Sequence, residues 1–280
     1  MLELLSYEFM QRALLGGLLI AISSSIIGVF LVLRRLSLLG DSLAHASFGG
    51  IAIGIVLGIN PFITALGLVG ALSLGLDKLI HKVKLYGESA IALILSFGMA
   101  TALLLISIVD RLDSTLFSYL FGSLLTISWL DVYVMVAVLV IICVFLYFFY
   151  PLLIYSTFNR EVAIVKTKQT YIVEKLFLIL AALTVVISIR AVGILLISAL
   201  LVIPSLIGLR LGFSLKSTLI LSTLSSIIGI YGGIFLSYYF DLPIGGTIVM
   251  ILIFLFIISL GLSSLKNILS SNKKSKTNVS

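Results

Sequence analysis

Successive apolar runs, each about as long as a bilayer is thick, constrain this chain more than any other feature of its sequence. They lie near 13–33, 38–59, 62–80, 89–109, 131–153, 172–189, 192–209, 216–239 and 243–264. A membrane-spanning helix needs about 20 mostly apolar residues, because it must cross about 30 Å of hydrocarbon. The sequence therefore predicts an all-α, polytopic transmembrane bundle with about nine spans, or eight if the short run at 192–209 does not cross.

The composition excludes several other classes of protein. With 61% hydrophobic and 10% charged residues, the chain does not resemble a soluble domain of 280 residues. The net charge of +7 could suggest nucleic acid, but the basic residues form short clusters between apolar runs and do not follow one surface, so no nucleic-acid partner is expected. The single cysteine, Cys143, allows neither a disulfide within the chain nor a thiolate metal cluster.

The basic clusters predict how the chain is oriented in a plasma membrane. Cytoplasmic loops carry an excess of Lys and Arg, and here the clusters follow the first, third and fifth apolar runs. They are Arg34 and Arg35, then Lys78, Lys82 and Lys84, then Arg160, Lys166, Lys168 and Lys175. We therefore expect the N-terminus outside and the C-terminus in the cytoplasm, with a transmembrane domain at 1–265 and a short polar tail at 266–280.

Asp41 and His45 are the candidate metal ligands, because an acidic residue in a membrane span costs about 2.5 to 3.5 kcal/mol and normally faces a cavity, a partner or an ion. Four residues apart on a helix, the two side chains can meet at one ion. Carboxylate plus imidazole suits Mn(II), Fe(II) or Zn(II) better than Cu(I). Two ligands alone make a weak site. A homodimer whose two pairs face each other across the axis would supply four ligands. The alternative is a proton relay or structural pair, with Asp41 bonded to Ser37 or Ser42.

Small residues in the same run predict close helix packing. Gly50, Gly54 and Gly58 recur at intervals of four, a spacing that lets helices approach closely in lipid. The face that carries Asp41, His45 and Gly49 is rotated by about 100° from this stripe, so that one helix could both pack and line a passage. Farther along the chain, Pro204 predicts a kink.

A polar interruption at 155–170 has Phe158, Val162 and Val165 at helical spacing. It is either a short amphipathic helix or a solvated loop. No phosphate-binding loop and no catalytic motif occurs in the chain. We therefore expect that it is not an enzyme, that it binds no cofactor itself, and that any ATP is bound by a partner subunit.

Three blocks of sequence resemble the membrane permease subunits of ABC importers for manganese, zinc and iron. The most specific is 30–46, with arginine, Ser-Leu, Gly-Asp and His at the family's spacing; the others are 88–91 and 192–204. The resemblance covers nearly the whole length. The chain departs from the family at Ala44, where serine is usual, and at Thr167, where glycine is common.

The resemblance implies a homodimeric permease with cytoplasmic ATP-binding subunits and an extracellular solute-binding protein that delivers the metal ion. Asp41 and His45 match the family's metal-path residues. A cytoplasmic coupling helix is implied at about 156–168, where contact with the ATPase is assigned to Phe158, Asn159, Arg160, Glu161 and Ala163. One rival is a permease for iron-siderophore or cobalamin. The other is a proton-coupled secondary transporter, which needs no coupling helix.

Overall fold

The computed structural model describes residues 7–109, 119–122, 124, 127–160, 162–163, 167 and 169–277, without the side chains of residues 81, 109 and 264–277. Over these residues the chain forms nine helices and no strand. They are α1 (Glu8–Leu33), α2 (Leu39–Leu57), α3 (Pro61–His81), α4 (Gly87–Val109), α5 (Trp129–Phe158), α6 (Gln169–Val192), α7 (Ile197–Leu211), α8 (Leu215–Phe240) and α9 (Ile244–Thr277). The predicted all-α membrane bundle is confirmed.

Helix lengths separate eight of these helices from the ninth. Among the described residues, eight are long and apolar enough to cross a membrane, whereas α7 has only 15 residues. At 1.5 Å per residue α7 rises about 22 Å, which is less than the hydrocarbon thickness. The run predicted at 192–209 is therefore too short to cross the hydrocarbon as a straight helix alone.

The link between α6 and α7 supplies part of the missing length. Its backbone donates hydrogen bonds from Ile194 to the carbonyl of Tyr119 (3.1 Å) and from Leu195 to that of Leu120 (3.4 Å). Gly122 and Gly193 both have positive φ, and their backbones are too close for a Cβ on either. Non-helical backbone is tolerated at membrane depth where protein satisfies its polar groups, as this pairing does.

The ends of α8 show that α7 carries the chain across the bundle. The junction of α8 and α9 lines one cavity with Phe9 and Met10 of α1, so it lies at the end of the bundle where α1 begins. We call this the Glu8 end and the opposite one the Arg34 end. α7 packs through Gly208 on the first turns of α8, so it ends at the Arg34 end. Over the described residues, the nine helices thus pass between the two ends nine times.

Burial divides the helices into an interior and a periphery. α1, α2 and α6 are mostly buried, while α3, α4, α5, α8 and α9 are buried over a smaller share of their length. The peripheral helices expose large apolar side chains, as expected of surfaces that face lipid, including Leu104, Tyr147, Phe148, Phe254 and Ile257. α7 continues through the buried Pro204, and the helical backbone of α9 continues into the polar tail as far as Thr277.

Candidate functional site

Asp41 and His45 lie near the start of α2, one helical turn apart on the same face. The N-cap residue Leu38 offers no capping side chain, and the Asp41 carboxylate places negative charge near the positive end of the helix dipole. Nε2 of His45 is 3.7 Å from Oδ1 of Asp41. The Asp41 side chain is 32% exposed and that of His45 is 14% exposed. The two predicted ligands are therefore together, in a position that an ion can reach.

Their separation suits a shared ion better than a direct hydrogen bond. A distance of 3.7 Å is longer than the usual 2.7–3.2 Å of an N–H···O bond. If both atoms lay about 2.1 Å from one metal ion, they would subtend about 120° at it, which a four-coordinate ion can accept. Nε2 of His45 is the nitrogen that faces the carboxylate. The other ring nitrogen, Nδ1, is buried and has no hydrogen-bond partner among the described residues.

The neighbouring hydroxyl groups are engaged elsewhere. Ser42 is fully buried, and its Oγ donates to the carbonyl of Ile91 in α4 at 2.9 Å. Ser47 donates to the carbonyl of Leu43 at 2.7 Å. Ser42 is therefore not a partner of Asp41, contrary to one of the alternatives drawn from the sequence. Its hydrogen bond instead joins the start of α2 to α4.

Each chain offers two ligands at this position. Within the described part of the chain, no group of three or more His, Cys, Asp or Glu side chains could hold a metal ion. Asp41 can provide an oxygen ligand and His45 a nitrogen ligand, whereas a structural metal normally takes four ligands. The site of one chain is thus open, as a site that must release its ion should be.

Glycines fix α2 between α3 and α4. Gly50 and Gly54 contact the backbone of α3 so closely that neither has room for a Cβ, which confirms the packing prediction for these two. Gly58 differs: it has φ +65 and nothing near it, because it is the C-cap of α2. Gly49 was placed on the face that could line a passage, but it packs against Gly98 of α4. That face is therefore closed by packing at Gly49 and remains accessible at Asp41 and His45.

The predicted coupling segment is partly described. α5 continues to Phe158, so 156–158 belong to that helix, and Asn159 ends it with φ −146. Helical hydrogen bonds resume at once, from the amide of Ala163 to the Asn159 carbonyl (3.0 Å) and from Thr167 to Ala163 (3.1 Å). Glu161 and Val165 lie outside the described residues. The amphipathic-helix interpretation thus agrees with the backbone at the positions that are described.

The two faces of this segment differ in exposure. Phe158 and Val162 are 65% and 58% exposed, whereas Ala163 is 4% exposed. Exposed apolar side chains are unfavourable in water, and Phe158 and Val162 lie at and beyond the last residue of the membrane-spanning α5. The segment therefore presents an apolar surface outward while its other side rests on the protein.

A charged layer around a cavity of about 620 Å³ lies at the Arg34 end, and the sequence analysis missed most of it. Arg34 donates to Ser156 (2.6 Å) and Thr157 (3.1 Å), and its guanidinium lies 4.8 Å from the centre of the Phe177 ring. Burial lowers the pKa of Arg34 to about 10, while the nearby Glu174 carboxylate acts to raise it, so Arg34 stays charged near neutral pH.

Two acidic residues of this layer pair with basic residues across helices. Glu174 of α6 accepts from Arg160, and Asp77 of α3 lies 4.0 Å from Lys175 of α6. Asp77 and Glu174 are both buried. The sequence did contain a signal for both residues, because each is an acidic residue inside an apolar run and near a basic cluster. An acidic residue in an apolar run is also what identified Asp41.

A second set of polar contacts closes the Glu8 end. Asp131 and Ser128 form a reciprocal capping box at the start of α5, and Arg190 at the end of α6 pairs with Asp131. The indole of Trp129 donates to Glu8 at 2.7 Å. These contacts fasten α5 to α6 and to α1, so both ends of α6 are held by ion pairs.

Known proteins resemble this chain in sequence and in architecture. A family model described as the ABC 3 transport family matches residues 6–263. The chain belongs to that family. It is 32% identical to the high-affinity zinc uptake system membrane protein ZnuB of Haemophilus influenzae, over 91% of this chain and 97% of that protein. It is 28% identical to the manganese transport system membrane protein MntC of Listeria monocytogenes, over 97% and 96%.

A solved structure gives the same result for the fold. The structure of PsaBC from Streptococcus pneumoniae in complex with Fab includes a chain that superposes with a TM-score of 0.81 at 27% identity, covering 91% of this chain and 92% of that one. The resemblance to metal-ion ABC importer permeases is thereby confirmed, and this member of the ABC 3 transport family is a multi-pass membrane permease.

Proposed function

We propose that this chain forms the translocation path of an ABC importer for a divalent transition metal ion. The observation that carries the proposal is the Asp41–His45 pair: a carboxylate oxygen and an imidazole nitrogen, 3.7 Å apart and partly exposed, at the first turns of a buried helix. Relatives named for zinc and manganese uptake support the same class of cargo. The ion would be held by Asp41 and His45 while it crosses.

Two copies of the chain would complete the site. One chain supplies two ligands, and a symmetric pair facing across a two-fold axis supplies four without any further residue. Partial exposure of both side chains is what such an arrangement requires, since each pair must face the other. The homodimer is expected to survive loss of the metal pair, because the interface would depend on helix packing.

The Arg34 end would face the cytoplasm. Most basic side chains outside the apolar cores lie in the connections at this end or in the helix turns beside them, including Arg35, Lys82, Lys84, Arg210 and Lys216. With nine passages, the N-terminus would lie outside and the C-terminal tail, 266–280, inside, after a permease domain at 1–265. The ion would arrive at the Glu8 end from an extracellular solute-binding protein.

ATP would be hydrolysed by separate cytoplasmic subunits that dock on the coupling segment. The exposed Phe158 and Val162 give this segment an apolar outer surface at the proposed cytoplasmic end. Asn159, Arg160 and Glu161 belong to the same predicted contact region, whereas the predicted contact residue Ala163 is buried against the bundle. A proton-coupled secondary transporter would have no use for such a surface. A permease for iron-siderophore or cobalamin would have no use for a metal-binding pair.

The test is uptake by the complete complex reconstituted in liposomes with its ATP-binding and solute-binding subunits. We expect ATP-dependent uptake of at least one of Mn, Zn and Fe, and no uptake of a ferric siderophore or cobalamin. Uptake driven by a proton gradient without ATP would favour the secondary transporter. Uptake of the large chelates alone would reject the metal-ion assignment.

A further inference from the structure

The segment that follows α5 is fastened to α6 at two points. The guanidinium of Arg160 donates from Nε to Oε1 of Glu174 (3.0 Å) and from Nη2 to Oε2 (2.9 Å), a bidentate pair. Thr170 Oγ1 donates to the carbonyl of Ala163 at 2.8 Å. Thr170 and Glu174 are four residues apart, so both anchors lie on one face of the first turns of α6.

Burial distinguishes these anchors from surface contacts. Thr170 is fully buried, and Glu174 is only 5% exposed, whereas Arg160 keeps 37% of its side chain exposed. A bidentate guanidinium–carboxylate pair fixes orientation as well as distance, and a buried carboxylate holds its partner strongly because the alternative is an unpaired charge. The segment thus cannot move far without moving the start of α6.

α6 is in turn connected to the rest of the bundle along its length. Lys175, next to Glu174, lies 4.0 Å from Asp77 of α3, and Phe177 packs edge-on against Phe30 of α1 with ring centres 6.1 Å apart. At the other end of α6, Arg190 pairs with Asp131 of α5. α6 also contacts α2, the helix that carries the metal pair. One helix therefore joins the coupling segment to both ends of the molecule.

We propose that the Arg160–Glu174 pair is the joint that transmits movement of the coupling segment to α6, which makes Glu174 a positioning residue for transport. This rests on the proposed function, in which a cytoplasmic ATPase moves the segment. When the segment is displaced, the bidentate pair pulls the start of α6, and α6 shifts as one body against α1, α2 and α3. Neutralising either partner leaves the segment docked through Thr170 and Ala163 but loosens the transmission.

The experiment measures metal ions imported per ATP hydrolysed by the reconstituted complex. The variants are Glu174→Gln and Arg160→Gln, the milder Arg160→Lys, and the exchange of both charges in Arg160→Glu with Glu174→Arg. Arg210→Gln is the matched control, because it removes a cation from an exposed position at the same end of the bundle, with no ion pair among the described residues.

We expect the assembled Glu174→Gln and Arg160→Gln complexes to hydrolyse ATP while importing at least about fivefold fewer ions per ATP, the lower range of coupling between distant sites. Arg160→Lys should fall between these and wild type, and the double exchange should recover part of the ratio. Arg210→Gln should match wild type.

Two results would overturn the proposal. One is an ions-per-ATP ratio in Glu174→Gln equal to that of Arg210→Gln. The other is a parallel loss of assembly, ATP hydrolysis and uptake in all three single variants at positions 160 and 174, which would reduce the pair to a structural role. A wild-type complex that imports no metal with ATP would instead reject the proposed function, so the two failures are distinguishable.

Discussion

At the scale of single residues, the first turns of α2 separate ligand side chains from packing side chains. Asp41 and His45 are partly exposed, while Ser42 and Ala44 between them are fully buried. A serine hydroxyl in place of Ala44 would therefore lie inside the bundle and not beside the metal pair. The absence of the usual serine leaves the two proposed ligands unchanged.

Ser42→Ala should weaken the protein without altering what it transports. The hydroxyl donates to the Ile91 carbonyl inside the bundle, and a buried hydrogen bond contributes about 0.5 to 1.5 kcal/mol. We expect a lower unfolding temperature in detergent and unchanged metal preference in uptake. Ser96→Ala, at an exposed position of α4, is the control and should change neither. Lost uptake with unchanged stability would make the Ser42 hydroxyl part of the ion path.

At the scale of the helices, the position of α2 depends on contacts where a side chain has no room. Gly98 of α4 lies against the backbone of His45 and Ala46, and Gly50 lies against Ala65 of α3. Such contacts let helix backbones approach closely in lipid. Close packing matters there because apolar side chains gain no hydrophobic free energy by leaving lipid for a helix interface. They hold the turn that carries His45 at a fixed distance from α4.

Gly98→Ala should therefore destabilise the protein through α2. The added methyl group has no space against the α2 backbone, and overpacking of this kind costs about 1 to 3 kcal/mol. Gly70→Ala in α3 is the matched control, since nothing lies near its Cβ position and alanine favours a helix. Thermal unfolding should show a lower midpoint for Gly98→Ala alone. Equal midpoints would mean that α4 is free to move away from α2.

The glycine spacing predicted which helix would pack closely but not which neighbours it would meet. Gly50 and Gly54 follow a local rule, so their role could be read from the sequence. Gly98 and its contact with Ala46 join positions 52 residues apart, and the pairing depends on how whole helices are arranged. The same holds for Glu174 and Arg160. The type of residue indicated a partner, but only the fold brings that partner within reach.

At the scale of the whole molecule, nine passages place the connection after α3 and the connection after α8 at opposite ends. Membrane-impermeant thiol labelling in cells tests this, in a Cys143→Ser background that removes the chain's only cysteine. We expect Asp241→Cys to be labelled in intact cells and Lys82→Cys only after permeabilisation. The reverse pattern would invert the orientation, and labelling of both in intact cells would contradict the count of passages.

Hydropathy predicted the number of apolar runs, because about 20 residues are needed for each crossing. It did not predict how the short α7 is accommodated. That depends on the amides of Ile194 and Leu195, which follow the positive-φ Gly193 and donate to residues 119 and 120, more than 70 positions earlier in the chain. Likewise, the sequence could identify the Asp41–His45 pair because its two members are close in the chain, but the proposed second copy that would complete the site depends on contacts between chains.

The most direct test of the central claim is ATP-dependent metal uptake by the reconstituted complex carrying Asp41→Asn or His45→Ala. Asp241→Asn serves as the control, because it makes the same chemical change at an exposed position whose left-handed backbone asparagine tolerates. With assembly intact in all three, we expect uptake to be abolished in the first two and normal in Asp241→Asn. Normal uptake of Mn, Zn and Fe by both Asp41→Asn and His45→Ala would contradict it.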